Sequence, residues 1–260
     1  MLGVTAGAHR LWAHRSYRAR LPLQLLLVAF HSLAYQHSAL RFAREHRAHH
    51  AFSDTDADPY NPARGFFFAH VGWLLVRPHP RAVAAARAIH VADLHQNPVL
   101  VFQDKYSFYL TALFAFVLPA LAPWWWWGEC AATAHHVSCA RVLAVWHAFF
   151  TTNSVAHRAG RRPYDARIAP AQSLPVALVT LGEGFHNFHH VFPFDYRAAE
   201  RGNGWLNPTA RFVEACARLG WARGLRRATP AAVARRARRT GDGTDLWGRP
   251  RSDLVGDSTK

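Results

Sequence analysis

Tyr106-Ser107-Phe108-Tyr109-Leu110-Thr111-Ala112-Leu113-Phe114-Ala115-Phe116-Val117-Leu118-Pro119-Ala120-Leu121-Ala122-Pro123-Trp124-Trp125-Trp126-Trp127-Gly128 carries no charged side chain. These 23 residues lie between Lys105 and Glu129 and exceed the roughly 20 that a helix needs to cross a bilayer. The run closes on one proline and four tryptophans, which suits an interfacial aromatic belt. A second candidate follows from about 131 to 156. It is less apolar and contains Arg141. Three further apolar runs, 21–34, 66–76 and 173–181, are too short to span and read as buried or interfacial helices. The pattern predicts an all-α integral membrane protein with two spans.

The chain has 260 residues, half of them hydrophobic, and a formal net charge of +15. A basic balance fits nucleic acid or the cytoplasmic face of a membrane protein. The arginines of 211–239 come with no nucleic-acid motif, so anionic lipid or an acidic protein partner is the expected neighbour and nucleic acid is not. Cys130, Cys139 and Cys216 form no CxxC pair, which argues against a disulfide framework or a cysteine zinc site. Met1 is followed by neither a basic segment nor a long apolar run, so no signal peptide is expected.

Histidine carries the chemistry. His186, His189 and His190 stand at i, i+3 and i+4, a spacing that puts all three on one helix face. One such triplet could be chance on a polar face. His46, His49 and His50 repeat it. His157 lies four residues beyond Asn153, again one face. His9 and His14 are five apart and project roughly 140° from one another on an α-helix, so they share a centre only from a helix end or a bent segment. Nine clustered imidazoles, with Asn153 nearby, exceed the four ligands of a tetrahedral zinc and imply two metals. Imidazole suits Zn, Cu, Fe and Ni, so the spacing does not choose among them. Glu45, Glu183 and Asp195 are acids that could orient imidazoles, or could equally be solvated surface groups.

Two spans between His50 and His157, and none within the other histidine intervals, return every cluster to one side of the membrane. The segment joining the spans has no Lys or Arg, so the positive-inside rule makes the histidine side cytoplasmic. The expected architecture is therefore transmembrane helices plus a cytoplasmic helical cap carrying a histidine-rich di-metal site.

Three blocks, HRLWAH (9–14), HRAHH (46–50) and HNFHH (186–190), resemble the histidine boxes of membrane fatty-acyl desaturases. The flanking text GVTAGAHRLWAHRSYRARLPL, FSDTDADP, RGFFFAHVGWLLVR, NSVAHRAGRRPYD and GEGFHNFHHVFPFDYRAAE is similar to the stearoyl-CoA (Δ9) desaturases, the animal acyl-CoA type. The resemblance covers residues 1–243, leaving 244–260 as a polar tail expected to be disordered. It implies a multi-pass enzyme of the endoplasmic reticulum membrane with two Fe2+ ions. It further implies O2 as co-substrate and electrons from cytochrome b5 and its NADH-dependent reductase. The reaction would be a cis double bond at Δ9 of saturated acyl-CoA.

By the same resemblance His9, His14, His46, His49, His50, His157, His186, His189 and His190 are iron ligands, and Asn153 holds a metal-bound water. Arg44, Glu45 and Arg77 fall at positions that contact CoA, as do His37, Pro78 and Phe150, where the family's usual residues differ. His31, His79, His135 and His136 match no box. The family has two transmembrane helices before the first box. The chain opens just ahead of that box, so a shortened chain is expected. A shortened chain acting as an inactive partner, and a related di-iron hydroxylase or sphingolipid desaturase, are the alternatives.

Overall fold

The computed structural model describes residues 1–200 and 204–251. Helices dominate it. A π-helical segment, Gly3–Ala13, leads into β1 (Arg18–Ala19), α1 (Leu21–Ala34) and α2 (Ala39–Phe52). Short helices α3 (Phe66–His70), α4 (Pro80–Ala88), α5 (Ala92–His95) and α6 (Pro98–Lys105) follow. Next come α7 (Ser107–Thr111), a π stretch (Ala112–Val117) and α8 (Leu118–Trp127), one continuous helix of 21 residues. Then α9 (Ala131–Ser154), α10 (Leu174–Val179), α11 (His186–Val191), α12 (Pro208–Arg218), β2 (Ala222–Arg223) and α13 (Pro230–Thr240) complete the order. The sequence signals for helix starts are literal: Asn97-Pro98, Asn207-Pro208 and Thr229-Pro230 each place a capping side chain before a proline. The expectation of an all-α chain needs one correction, since β1 and β2 pair as a minimal antiparallel ribbon with Arg18 opposite Arg223.

Of the two expected spans, one helix is long and apolar enough to cross a membrane, Ser107–Trp127. Its surface is largely bare: Phe108 is 78% and Trp125 77% exposed. The 24 residues of α9 rise about 36 Å, enough for a bilayer, but Arg141 and His135, His136 and His147 lower its apolarity. Arg141 has a structural reason. The carbonyl of Ala115 would bond the amide of residue 119 in an α-helix, and residue 119 is proline. The helix relaxes there into π geometry, and Ala115 O accepts instead from Ser138 Oγ at 2.9 Å and Arg141 Nη2 at 2.7 Å. Arg141 Nη1 also donates to Leu33 O at 2.9 Å, tying α9 to α1.

The main core gathers Val4, Leu11, Leu23, Leu27, Phe42, Phe149 and Val213 around the first π segment, whose eleven residues are all buried. That segment packs between α1, α2 and α12. The approach to α1 is close enough to demand glycine: a Cβ on Gly3 would stand 2.1 Å from His31 N. Of the tail, Thr244 bridges to Pro250 and Arg251 is buried beside Glu200, while 252–260 lie outside the described residues.

Candidate metal centre

The nine histidines converge from four elements and divide into two groups. His9, His14, His46, His50 and His189 form one; His49, His157, His186 and His190 form the other. Within each group the nearest ring nitrogens lie within 4.8 Å of one another. Each triplet is split. From α2, the i, i+4 pair His46 and His50 joins the first group and His49 the second. From α11, the pair His186 and His190 joins the second and His189 the first. The two helices thus contribute in opposite proportions, and His50 stacks on His190 across the boundary at 4.1 Å.

The first box is where α-helical spacing misleads. An i→i+5 helix stacks residues five apart, and the bond from His14 N to His9 O, 3.1 Å, is of that kind. The rings of His9 and His14 therefore meet at 4.9 Å instead of pointing apart.

Acids orient the imidazoles from outside. His49 Nδ1 lies 2.9 and 3.0 Å from the Asp58 carboxylate, and His157 Nδ1 2.9 Å from Asp54 Oδ1. His9 Nδ1 stands 2.7 Å from Glu183 Oε2, close but off the axis of the ring N–H. Glu183 also lies 3.1 Å from the fully buried Arg10. Of the three acids singled out in the sequence, Glu183 meets an imidazole and the others do not. Glu45 pairs with Arg41 at 2.8 Å, and Asp195 locks a turn through Arg197 and the amide of Ala228. Asp54 and Asp58 were missed. Their signal is the acidic FSDTDADP stretch directly after the second box.

With Nδ1 of His49 and His157 donating outward, Nε2 is left as a bare lone pair facing in. His49 Nε2 is buried with no partner. Elsewhere nitrogens face nitrogens: His9 and His189 Nε2 at 2.8 Å, His14 and His46 at 2.9 Å, His50 and His189 at 2.9 Å, His157 and His186 at 3.0 Å. Burial first, then the neighbouring imidazoles, hold His14, His46, His50, His186, His189 and His190 well below the ordinary histidine value. At His49 burial acts the same way, but Asp58 outweighs it and the value rises. Mostly neutral rings with converging lone pairs are a donor set that fits a cation in each group. Two nitrogens bound at about 2.0–2.1 Å stand roughly 3 Å apart at a right angle and roughly 3.4 Å apart at the tetrahedral angle. The observed spacings match the former.

Gly184 lets the third box dock: a Cβ there would lie 2.1 Å from both Ser173 O and Ala177 N. Asn153 is buried and lines a small cavity with His9, His46, Glu183 and His186. His31, His79, His135 and His136 belong to neither group. A separate cleft of about 440 Å³ opens beside α2 and α4. His37, Arg41, Arg44, Glu45, Arg64, Pro78 and Arg87 line it, and so does Asp58, the partner of His49. Arg77 is not among its walls, although Val76 and Pro78 are. Phe150 is 2% exposed and sits behind Trp73, ring centroids 5.8 Å apart.

Residues 1–199 match the fatty acid desaturase family. The chain belongs to that family. The chain is 50% identical over 247 residues to an acyl-CoA Δ11 desaturase of Spodoptera littoralis, covering 95% of this chain and 73% of that protein. It is 45% identical over 262 residues to an acyl-CoA Δ9 desaturase of Acheta domesticus, covering 98% and 73%. It is 48% identical over 244 residues to stearoyl-CoA desaturase 5 of Bos taurus, covering 94% and 72%. An acyl-CoA desaturase kinship is thereby shown, while the relatives differ in the position they name.

Proposed function

We propose that the protein desaturates saturated acyl-CoA at Δ9: the chain loses two hydrogens, O2 and two electrons with two protons become two waters, and a cis double bond remains. The observation that carries this reading is the pair of imidazole groups, largely buried and facing each other. His9, His14, His46, His50 and His189 would hold one iron; His49, His157, His186 and His190, with Asn153, the other. Iron, when bound, supplies the redox reactivity toward dioxygen that breaking an unactivated C–H bond needs. The protein's own residues position and shield. Glu183, Asp58 and Asp54 fix ring directions. Phe42, Phe149 and Tyr60, in the cavity with Asn153, help keep water from the methylene.

The cleft is the proposed CoA site. Four arginines, Arg41, Arg44, Arg64 and Arg87, face three acids there, and Arg44 Nε is buried without a partner, which suits phosphate. Glu45 and His37 share the wall; Arg77 and Phe150 would act from its edge and from behind Trp73. With the head group held in the cleft, chain length sets which carbon reaches the metals. We place the Ser107–Trp127 helix across the endoplasmic reticulum membrane with α9 returning, the histidines cytoplasmic, and cytochrome b5 with its reductase as electron source. The exposed apolar helix and the concentration of arginine on the histidine side support that orientation.

A Δ11 product is the second reading, favoured by the 50% identity to a named Δ11 enzyme. The test is expression in a desaturase-deficient cell fed palmitate and stearate, with double-bond position fixed by mass spectrometry of derivatised products. Bonds at C9 support the first reading and bonds at C11 the second. Iron-loaded protein that yields neither, with electron donors present, overturns both.

A further inference from the structure

We propose that Asp93 is a positioning residue for the first histidine group, acting through Arg15 and Arg47 to fix His14; this rests on the reading in which that group holds a metal. Asp93 lies on α5, outside every histidine box, and touches no ring of either group. Its carboxylate accepts from two arginines that flank His14 from opposite sides.

Arg47, within the second box, donates from Nη2 to Trp12 O at 2.7 Å and from Nε to Ala13 O at 3.0 Å. These are the last carbonyls of the π segment, which no amide within the helix can satisfy. The same guanidinium reaches Asp93 Oδ1 at 2.9 Å and Oδ2 at 2.7 Å, and His90 O at 2.7 Å. Arg15, the next residue after His14, sits at φ 51°, in the left-handed region. A side chain other than glycine is strained there. Arg15 Nε donates to Asp93 Oδ2 at 2.8 Å and Nη2 lies 2.7 Å from Oδ1. The backbone on both sides of His14 is thus tied to one carboxylate. Among the described residues no carboxylate contacts the His14 ring itself. Its aim, with Nε2 2.9 Å from His46 Nε2, is set by that backbone. Asp93 does at a distance what Asp58, Asp54 and Glu183 do by touching their rings.

The test uses the full chain, purified in detergent and reconstituted with ferrous iron. Iron per chain and the rate of iron loss to a chelator are read for Asp93→Ala. One of the two ions should leave faster, by about tenfold or more, while the other keeps the parent rate. Adding Arg15→Gly to Asp93→Ala should recover part of that loss, because glycine takes the left-handed conformation without a tether. Retention of both ions at the parent rate overturns the proposal. Equal loss of both also overturns it, since that marks a general packing defect. If Asp93→Ala does not accumulate, Asp93→Asn, which keeps the volume but weakens the double grip, is read by the same criteria. His14→Ala in parallel separates the two ideas. It loses an ion if the group binds metal, whatever Asp93 does; if it loses none, the metal reading fails rather than the clamp.

Discussion

Glu183→Gln tests the least replaceable carboxylate. Glu183 and Arg10 are 4% and 1% exposed at the side chain, 3.1 Å apart. Burial alone would raise the Glu183 carboxyl, but Arg10 and His9 outweigh it and hold the group below its usual range. Arg10 nitrogens are otherwise without a hydrogen-bond partner, so Glu183 is the close counter-charge. Glutamine keeps the shape and removes the charge, leaving a buried guanidinium uncompensated. That costs roughly 3–5 kcal/mol. For a chain of this size each kcal/mol moves the midpoint by about 2–4 °C, so thermal unfolding should fall by roughly 6–20 °C. The measurement is made in detergent on protein stripped of metal, so that lost ligand binding does not enter. The double variant Arg10→Met with Glu183→Gln removes both charges and should recover most of the fall. If Glu183→Gln unfolds at the parent temperature, or the double variant is worse than the single, the pairing does not bear on stability and the argument is wrong.

Four further outcomes are expected. Elemental analysis should give two ions per chain, with His189→Ala and His157→Ala each losing the ion of its own group; two ions retained in either variant would break the grouping. Gly184→Ala should destabilise by at least about 1–3 kcal/mol, because its Cβ meets backbone that cannot yield, as a denaturant midpoint would show. Asp165, bound by Arg167 and Arg236, is held down to about 2, so its stabilisation is present above about pH 4 and lost as pH falls toward 2. Asp165→Asn should lower stability at neutral pH and flatten the acid limb of a stability–pH curve. Arg44→Ala should raise KM for acyl-CoA more than it lowers kcat in steady-state assays, and a pure kcat effect would remove Arg44 from head-group binding.

The residues show which features a sequence carries and which it hides. The i, i+3, i+4 triplets of α2 and α11 were legible because each is a local helical pattern. Their division between two groups was not, since it depends on how the two helices approach each other. His9 and His14 looked divergent because the spacing rule assumed 3.6 residues per turn, and the chain there is π-helical. Arg141 looked like a flaw in a span; it answers a carbonyl that Pro119 frees 22 residues earlier. Asp54 sits 103 residues from His157, and no periodicity links them. Glu45 and Asp195 were plausible by proximity in sequence, and nearby arginines took them instead.

The first π segment also has a bearing on the order of assembly. A run of i→i+5 bonds is rare and has little stability of its own. Gly3–Ala13 is held by what surrounds it: α1, α2 and α12, the last drawn from the far end of the chain. Two of the five histidines of the His9 group, His9 and His14, therefore have no fixed place until α12 has folded back. The other histidine group draws on α2, α11 and the turn after α9, none of them π-helical. That second group needs no element beyond α11 to come together, whereas the first waits on α12 as well. Hydrogen exchange would record that history in reverse, the amides of 3–13 opening earliest when metal is withdrawn.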